Sequence, residues 1–364
     1  MAEEENDGFG RAASVAPSYA PTGALVVDGA IVDAECAAPG NVVLSGLPGS
    51  AYTTVRTHAR RSLVVQWDVH AGRLHASARA LDAEAGKGLG WPEDFGAAAS
   101  PSVALALQTL GARAPADDGS GEAMVVVAVT PRARREAAAD TATGGGWSVT
   151  ALALALPMPF RHNGKVDLLA AGEPTIPLGW SMWPTWCDAQ VWERPLGAAK
   201  VSDWVNERRQ VEAQRPETCG ETVLCDAQGR AGEGCLTNFF VVHGDRSVQT
   251  APADGTVLDG TMRQLVLQAC KDLGLEVREE RPDPVAAAVG ATSTEKPIVR
   301  WVEAFLTSAG RVVQPVQGVI LQRDMFPTLP GGGRVEFNSI TPVSDAIRTR
   351  VYELVAASAS PLTA

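Results

Sequence analysis

The chain has 364 residues, of which 45% are hydrophobic, and this composition is typical of a globular protein with one large or two medium domains. Its 42 acidic and 31 basic residues give a formal net charge of -11, which disfavours nucleic acid or an anionic membrane as the main partner. The six cysteines lie far apart without a C-x-x-C pair, and no apolar run approaches the roughly 20 residues of a membrane-spanning helix. Since the first residues, MAEEENDGFG, are acidic and unlike a targeting peptide, we expect a soluble cytoplasmic protein with reduced thiols.

The N-terminal half reads as a small mixed α+β domain over residues 21–156. Residues 1–20 are polar and non-periodic, which predicts a flexible arm. Strands are predicted around the Asp-Gly turn of ALVVDGAIV and in AYTTVRTH, SLVVQWDVH, MVVVAVT and WSVTALALAL. Helices are predicted in VHAGRLHASARAL and PSVALALQTLGARA. The prolines and the Asn-Gly pair of PMPFRHNGK predict a linker over residues 157–165.

The C-terminal half, residues 166–364, reads as a larger mixed domain, so the predicted fold class is two-domain α/β, more specifically α+β. Strands are predicted in ETVLC, NFFVV, SVQTAP, WVEAFLTS and VVQPVQGVI, with DAQGRAGEG separating the first two and PGGGR forming a surface loop. A terminal helix is predicted in ITPVSDAIRTRVYELVAA, with its cap near Val343 or Ser344. A further helix, TMRQLVLQACKDLG, has helical apolar spacing at Met262, Leu265, Val266, Ala269, Cys270 and Leu273.

Lysines are rare in this chain, so candidate amine nucleophiles are few. Lys200 lies among small and apolar residues in GAAKVSDWV, where desolvation would lower its pKa and make the amine a usable nucleophile. An ordinary surface lysine at a strand end is the alternative interpretation. The other lysines are predicted to be solvated surface charges: Lys87, Lys165, Lys271 and Lys296.

Two further features suit a phosphate and a ring nitrogen. Gly260 and the hydroxyl of Thr261 open the helix TMRQLVLQACKDLG, where free N–H groups favour an anion, although an ordinary helix cap has the same sequence. FLTSAG is a second turn of this kind, and GEGCLTNFFVV sets Glu233 in a glycine-bracketed turn before an apolar strand. A lysine, a phosphate-binding helix start and an acid are together what pyridoxal phosphate requires for its aldehyde, phosphate and pyridine nitrogen.

The order and spacing of these residues resemble the class IV, or fold-type IV, pyridoxal-phosphate aminotransferases. That group includes D-amino-acid and branched-chain aminotransferases and aminodeoxychorismate lyase. The resemblance covers Glu233 to Asn238, a V-x-T at 248–250 and an L-x-G-x-x-R at 258–263, with Lys200 placed 33 residues before the acid. EAFLTSAGRVVQPV is similar to the second phosphate turn of the family, and AYTTVRTHARRSLVVQWDVHAGRL to its N-terminal strand, hairpin and helix start.

The resemblance implies a role for each candidate site residue. Lys200 would carry the cofactor and move the proton at the substrate α-carbon, Glu233 would keep the ring nitrogen protonated, and Tyr52 would lie beside the lysine. His70 would pack rather than react. The rest of the implied cofactor-binding set is Arg73, Asn238, Gly260, Thr261, Met262, Thr307, Ser308 and Ala309.

Several positions depart from the family pattern, among them Ala309, which stands where the phosphate turn commonly has a hydroxyl. Thr53 replaces the acid that follows the tyrosine in several relatives, and Asp203 and Trp204 stand where an asparagine is usual after the lysine. Pro131 and Arg132 follow the Val-Thr pair after which D-amino-acid enzymes carry an arginine for the substrate carboxylate. This last departure argues against carrying over D-amino-acid specificity.

The function that the resemblance implies is a pyridoxal-phosphate-dependent aminotransferase, a homodimer without metal that transfers an amino group between an amino acid and a 2-oxo acid. Two alternatives use the same residues. One is an aminodeoxychorismate-type lyase that releases pyruvate. The other is a relative that binds pyridoxal phosphate but does not turn over.

Overall fold

The structure is a computed structural model, and two mixed sheets organise the part of the chain that it describes. The described residues are 23–86, 88–113, 121–132, 146–155, 185–192, 194, 196–289, 300–324, 326–327, 333–337 and 341–362. The predicted arm, the predicted linker and Lys87, Lys165 and Lys296 lie outside these ranges. The domain limits drawn around the linker therefore stay predictions.

The first sheet has seven strands in the order β16-β4-β3-β5-β6-β1-β2. Its strands are β1 Gly23–Val27, β2 Ala30–Asp33, β3 Ala51–His58, β4 Leu63–Val65, β5 Ala123–Pro131, β6 Trp147–Ala155 and β16 Ala359–Ser360. The helices of this half are α1 Gly40–Ser45, α2 Trp67–Ala85 and α3 Phe95–Arg113. The last strand, β16, pairs with β4, so the end of the described chain returns to the N-terminal sheet.

The apolar runs of the N-terminal half form strands as predicted, but two boundaries were wrong. SLVVQWDVH is a strand only to Val65, because Gln66 takes a left-handed conformation at φ 50° and turns the chain directly into α2. Helix α3 begins at Phe95, well before the predicted start at Pro101. Asp94 caps it, since its Oδ1 accepts a hydrogen bond of 2.9 Å from the N–H of Ala97.

The second sheet has nine strands in the order β12-β11-β10-β13-β14-β7-β8-β9, with β15 paired to β14. Its strands are β7 Thr185–Val191, β8 Cys219–Cys225, β9 Ala231–Gly234, β10 Asn238–His243, β11 Val248–Thr250, β12 Val277–Glu279, β13 Trp301–Thr307, β14 Gln314–Leu321 and β15 Gly333–Glu336. The helices here are α4 Asp203–Glu212, α5 Thr261–Asp272, α6 Pro284–Val289 and α7 Pro342–Ala357. An additional pairing of β9 with β10 closes six of these strands into a ring.

Helices α5 and α7 cover the β10–β13 part of this sheet with an apolar core. Phe240 and Phe305 stack at its centre with ring centroids 4.9 Å apart. Five of the six apolar positions predicted for α5 are buried there, but Leu273 is 41% exposed because the helix has already ended at Asp272. Gly274 follows at φ +66°, a conformation that favours glycine.

Two further predictions in this half were wrong. DAQGRAGEG is not only a connection, because its last residues form β9, which pairs with β8 and β10. PGGGR is not only a loop, since β15 begins at Gly333. The terminal helix has Thr341 as its N-cap and Pro342 at its first position, where proline needs no N–H partner, so Val343 and Ser344 lie near the cap.

Candidate active site

A cavity of about 630 Å³ opens between residues of both sheets. This volume is within the range of small-molecule sites, about 300–1,000 Å³. The structure brings together here every residue that the sequence assigned to catalysis or cofactor binding: Tyr52, Arg73, Lys200, Glu233, Asn238, Gly260, Thr261, Met262, Thr307, Ser308 and Ala309. Their individual roles stay predictions.

Lys200 is held at the cavity by its backbone. Its carbonyl accepts a hydrogen bond of 2.9 Å from the N–H of Tyr52, and its own N–H donates to Ser77 Oγ at 2.9 Å. Next to it, Val201 forms a bridge with Ala51 at the start of β3. The side chain then places Nζ 4.7 Å from the ring centroid of Tyr52.

The environment of Lys200 favours its neutral amine. Burial lowers the pKa of the ammonium, and the cations of Arg73, Arg194 and Arg208 lower it further, while Tyr52 acts in the opposite direction. For Tyr52, burial alone would raise the pKa, but Lys200 and the neighbouring arginines bring it below its ordinary value. In contrast, Lys271 is exposed on α5, as predicted.

Glu233 sits at the closing pair of the strand ring, directly opposite Asn238. The turn between them is tight, with the N–H of Gly234 donating to the carbonyl of Thr237 at 2.7 Å. Each carboxylate oxygen has one partner: Arg194 Nη1 donates to Oε1 at 2.8 Å, and the N–H of Leu258 donates to Oε2 at 3.1 Å.

The ion pair between Arg194 and Glu233 is buried, with each side chain 5% exposed. Burial raises the pKa of the Glu233 carboxyl, and Arg194 is the main group that opposes this effect. Arg194 is itself well placed, because its Nη2 donates to the carbonyl of Ala199 at 2.7 Å and its guanidinium lies 5.1 Å from the ring centroid of Trp204. Arg194 therefore favours the carboxylate form of Glu233, against the effect of burial.

Asn238 and Gly260 fit together at the start of α5. Asn238 Nδ2 donates to the carbonyl of Leu258 at 2.7 Å. A Cβ added to Gly260 would lie 2.1 Å from Asn238 Oδ1, far inside any van der Waals contact. Only glycine lets the helix begin this close to the Glu233–Asn238 pair.

The N-terminus of α5 offers donors to the cavity. Its N-cap, Gly260, supplies no side-chain hydrogen bond, and the first bond of the helix runs from the N–H of Gln264 to the carbonyl of Gly260. The N–H groups of Thr261 and Met262 thus have no partner within the helix. Arg73 lies beside them, because its Nη2 donates to the carbonyl of Asp259, and burial lowers its pKa to about 10.

The turn after β13 forms another edge of the cavity. Thr307 donates its hydroxyl to the carbonyl of Val312, and the N–H of Arg311 donates to Ser308 Oγ at 3.2 Å. Arg56 from β3 reaches the carbonyl oxygens of Ala309 and Gly310 at 3.5 and 3.4 Å. This contact ties the turn to the first sheet.

The positions that depart from the family pattern are engaged in local structure. Thr53 Oγ1 lies 2.7 Å from Nδ1 of the fully buried His70, and neither residue lines the cavity. Asp203 Oδ2 accepts the N–H of Gly49 at 2.9 Å, and Trp204 Nε1 donates to the carbonyl of Cys235 at 2.9 Å. Asp203 thus fixes a loop of the first sheet and Trp204 the turn after Glu233.

Four charged residues that line the cavity were not predicted from the sequence: Arg194, Arg208, Glu212 and Arg311. A signal existed for Arg208, because it shares the buried face of α4 with Trp204, Val205 and Val211. A charged residue on an otherwise apolar helix face is a candidate site residue, because charged side chains are rarely buried without a partner. The sequence around Arg194 shows no such pattern.

An apolar wall from the first sheet and α1 completes the cavity. Its side chains are Leu44, Met124, Val126 and Leu154. The cavity therefore combines a cationic side near Lys200 with an aliphatic side. Such a combination suits a small molecule with a charged group and an apolar group.

Other kinds of site find no support in the described part of the chain. No cluster of three or more His, Cys, Asp or Glu there could hold a metal ion. The six cysteines are free and buried. No helix there is long and apolar enough to cross a membrane.

Comparison with protein families gives a match over the middle and later part of the chain. Residues 183–319 match the family model described as amino-transferase class IV. Among curated proteins, the chain is 32% identical over 123 residues to "Probable branched-chain-amino-acid aminotransferase" of Rickettsia conorii. This alignment covers 32% of the chain and 41% of the Rickettsia protein, so it spans less than half of that relative.

Solved structures share the fold over nearly the whole chain. The branched-chain aminotransferase of Thermoproteus uzoniensis, crystallised with norvaline, has a TM-score of 0.62 at 17% identity and covers 93% of this chain and 99% of its own. The branched-chain aminotransferase of Thermobaculum terrenum in its PLP form has a TM-score of 0.57 at 14% identity, with coverage of 94% and 99%. At these identities the likeness shows the fold alone, which is the predicted two-domain α+β fold of type IV.

Proposed function

We propose, from the match of residues 183–319 to the class IV aminotransferase model, that the protein is a pyridoxal-phosphate-dependent aminotransferase. One observation carries the proposal. Lys200 Nζ, the Glu233 carboxylate and the uncapped start of α5 face one cavity of about 630 Å³. The curated relatives and the structural neighbours described above are named as aminotransferases, which favours amino transfer over the pyruvate-releasing lyase reaction.

The residues present fit pyridoxal phosphate. The start of α5 has N–H groups without a helix partner, and Gly260 leaves the close approach that a Cβ would fill. Arg73 adds a cation beside these groups. We propose that the phosphate is held there, by Arg73, Thr261 and Met262, and on the other side by the 307–309 turn.

The remaining residues would perform the chemistry. When bound, pyridoxal phosphate supplies an aldehyde that condenses with amines and a ring that accepts electrons from the substrate α-carbon. Lys200 Nζ, whose lowered pKa leaves more of it unprotonated, would hold the cofactor and move the proton at the substrate α-carbon. Glu233, whose carboxylate form Arg194 favours, would keep a proton on the ring nitrogen.

Tyr52 and Asn238 would position neighbouring groups rather than transfer protons. The ring of Tyr52 lies 4.7 Å from Lys200 Nζ and limits where the amine can move. Asn238 fixes Leu258, whose N–H also holds Glu233, so one amide aligns both the acid and the helix start.

The apolar wall of Leu44, Met124, Val126 and Leu154 supports an aliphatic amino acid as the amino donor. An amino-donor screen tests this proposal. We expect aliphatic amino acids to give the matching 2-oxo acids, first in an amount equal to the protein and then catalytically once a 2-oxo acid acceptor is added. Lys200→Ala should abolish both phases, and Lys271→Ala, at an exposed lysine, should change neither.

A lyase would give a different result in the same screen. Release of pyruvate from aminodeoxychorismate without an acceptor, together with no product from any amino acid, would contradict the aminotransferase proposal. A protein that takes up pyridoxal phosphate but yields neither product would instead be a non-catalytic relative.

The proposal extends to a cytoplasmic homodimer, as the family resemblance implies. Six free, buried cysteines suit a reducing compartment. Sedimentation of the purified protein at micromolar concentration tests the oligomeric state, since a dimer has twice the 38.0 kDa chain mass.

A further inference from the structure

Arg208 is a buried cation whose hydrogen-bonding groups the fold leaves unused. It is 5% exposed and lines the cavity from the buried face of α4. Its one ion pair places Nε 3.2 Å from Glu212 Oε1, in a geometry that is not a hydrogen bond. Among described residues, no atom accepts a hydrogen bond from this guanidinium.

Such an arrangement leaves donors available to an anion in the cavity. Nε is fully buried without a hydrogen bond, and the terminal nitrogens, which are not fully enclosed, donate to no atom of the described residues. Glu212 balances part of the charge but engages only the Nε edge. The two terminal nitrogens of Arg208 are therefore free to donate, and their planar arrangement matches the two oxygens of a carboxylate.

The other arginines of the cavity each use at least one terminal nitrogen in a hydrogen bond, whereas Arg208 uses neither. Arg194 uses both, on Glu233 and on the carbonyl of Ala199. Arg73 donates Nη2 to the carbonyl of Asp259, and Arg311 donates Nη2 to the carbonyl of Gly220. Nη1 of Arg311 makes no hydrogen bond, but it lies 3.5 Å from Glu221 Oε2, so that its charge is already paired with a buried carboxylate. Arg132, after the Val-Thr pair of β5, forms an ion pair with Asp28 and does not line the cavity.

Arg208 lines the same cavity as Lys200 and Tyr52. Its charge lowers the pKa of both groups, as the charge of Arg194 does. A carboxylate bound by Arg208 would thus lie in the cavity that holds the amine of Lys200. The apolar wall of Leu44, Met124, Val126 and Leu154 lines the same cavity and is available to an aliphatic side chain.

We propose that Arg208, oriented by Glu212, binds the α-carboxylate of the amino acid and of the 2-oxo acid. This inference rests on the proposed aminotransferase function and identifies its substrate-recognition residue. It makes Arg208 a specificity-determining residue that admits carboxylates and disfavours simple amines. Neither the phosphate nor the ring nitrogen depends on it.

Binding of a carboxylate that cannot react tests the proposal directly. The probe is 3-methylbutanoate, which has no amino group, titrated calorimetrically into the cofactor-loaded protein. Arg208→Gln should weaken its binding by at least about 30-fold, the effect of removing one partner of a buried charged hydrogen bond. Arg208→Lys keeps the charge but lacks the planar guanidinium that can form two hydrogen bonds to one carboxylate. It should bind 3-methylbutanoate roughly tenfold more weakly than wild type.

The matched control is Arg209→Gln, since Arg209 is exposed on the same helix. It should bind 3-methylbutanoate as the wild type does. A second readout compares leucine with 3-methylbutylamine, which lacks the carboxylate. In Arg208→Gln the KM for leucine should rise by a similar factor, while the reaction with the amine stays within about twofold.

The possible outcomes separate this inference from the proposed function. If Arg208→Gln and Arg208→Lys bind 3-methylbutanoate as tightly as Arg209→Gln, Arg208 is not the carboxylate site. If Arg208→Gln does not fold, Arg208→Lys decides alone, and unchanged affinity again overturns the inference. Absence of cofactor from Lys200 in the wild type would instead count against the proposed function.

Discussion

Replacing Arg194 by methionine tests whether a buried ion pair maintains Glu233 as a carboxylate. Methionine keeps most of the volume of the arginine stem but removes the cation. Glu233, 4% exposed, would then retain only the N–H of Leu258 as a partner. Because Arg194 is the main group that lowers the pKa of Glu233, that pKa should rise further in the variant.

The magnitude follows from the geometry of the pair. Two unit charges 2.8 Å apart attract by about 6 kcal/mol at an effective dielectric constant of about 20. Since both side chains are only 5% exposed, desolvation offsets part of this attraction, and breaking such a pair on one side costs about 3–5 kcal/mol. We expect Arg194→Met to lose this much stability at pH 7.

The loss should depend on pH with a definite sign. A buried carboxyl whose pKa is raised above its ordinary value of 4.5 stabilises the folded protein when protonated, and this contribution is lost as pH rises through the folded pKa. The destabilisation of Arg194→Met should therefore be small near pH 4 and grow toward pH 8. If activity needs ionised Glu233, the acidic limb of the pH–rate profile should move to higher pH.

Urea unfolding of four proteins measures the coupling: wild type, Arg194→Met, Glu233→Gln and the double variant. Each single change leaves one buried charge without its partner, whereas the double change removes both charges. The free energy of unfolding of the double variant should therefore fall by at least about 2 kcal/mol less than the sum of the two single losses. Arg209→Met, at an exposed arginine of α4, should change stability by less than about 0.5 kcal/mol. Additive losses, or a pH profile identical to wild type, would refute the reasoning.

Three other predictions concern the same cavity. Gly260→Ala should weaken cofactor binding at least tenfold in an absorbance titration, because its Cβ would lie 2.1 Å from Asn238 Oδ1; Gly111→Ala, with open space around it, should bind normally. Since burial lowers the pKa of Lys200, its amine should react with a small aldehyde at lower pH than exposed Lys271, as peptide mass mapping across pH would detect. Arg132→Gln should leave kcat/KM for amino acids within about twofold, because Arg132 pairs with Asp28 outside the cavity. A large rise in KM would indicate instead that Arg132, directly after β5, binds the substrate carboxylate.

The sequence predicted well those features that depend on local patterns. The burial of Met262, Leu265 and Val266 follows from their helical spacing, because α5 presents one face to the core. Glu233, Asn238 and Gly260 were identified through the resemblance of their order and spacing to the class IV pattern, and all three line one cavity. A short motif of this kind fixes a tight turn and a helix start, which are local structures.

Features that depend on tertiary contacts were missed. The Gly-rich AGEG has little intrinsic preference for a strand, and it becomes β9 only because β8 and β10 offer pairing partners on both sides. Arg194 reaches Glu233 across 39 residues of sequence. Its role follows from its burial and from its ion pair with Glu233, and the residues next to it in the sequence predict neither.

The most direct test of the central claim is the covalent position of the cofactor. Purified protein incubated with pyridoxal phosphate should absorb visible light, and borohydride reduction followed by peptide mass spectrometry should place the label on Lys200. Lys200→Ala should remain unlabelled, and Lys271→Ala should label as the wild type does. A label on another lysine, or no label under conditions where the protein is folded, would contradict the assignment of this cavity as a pyridoxal-phosphate site.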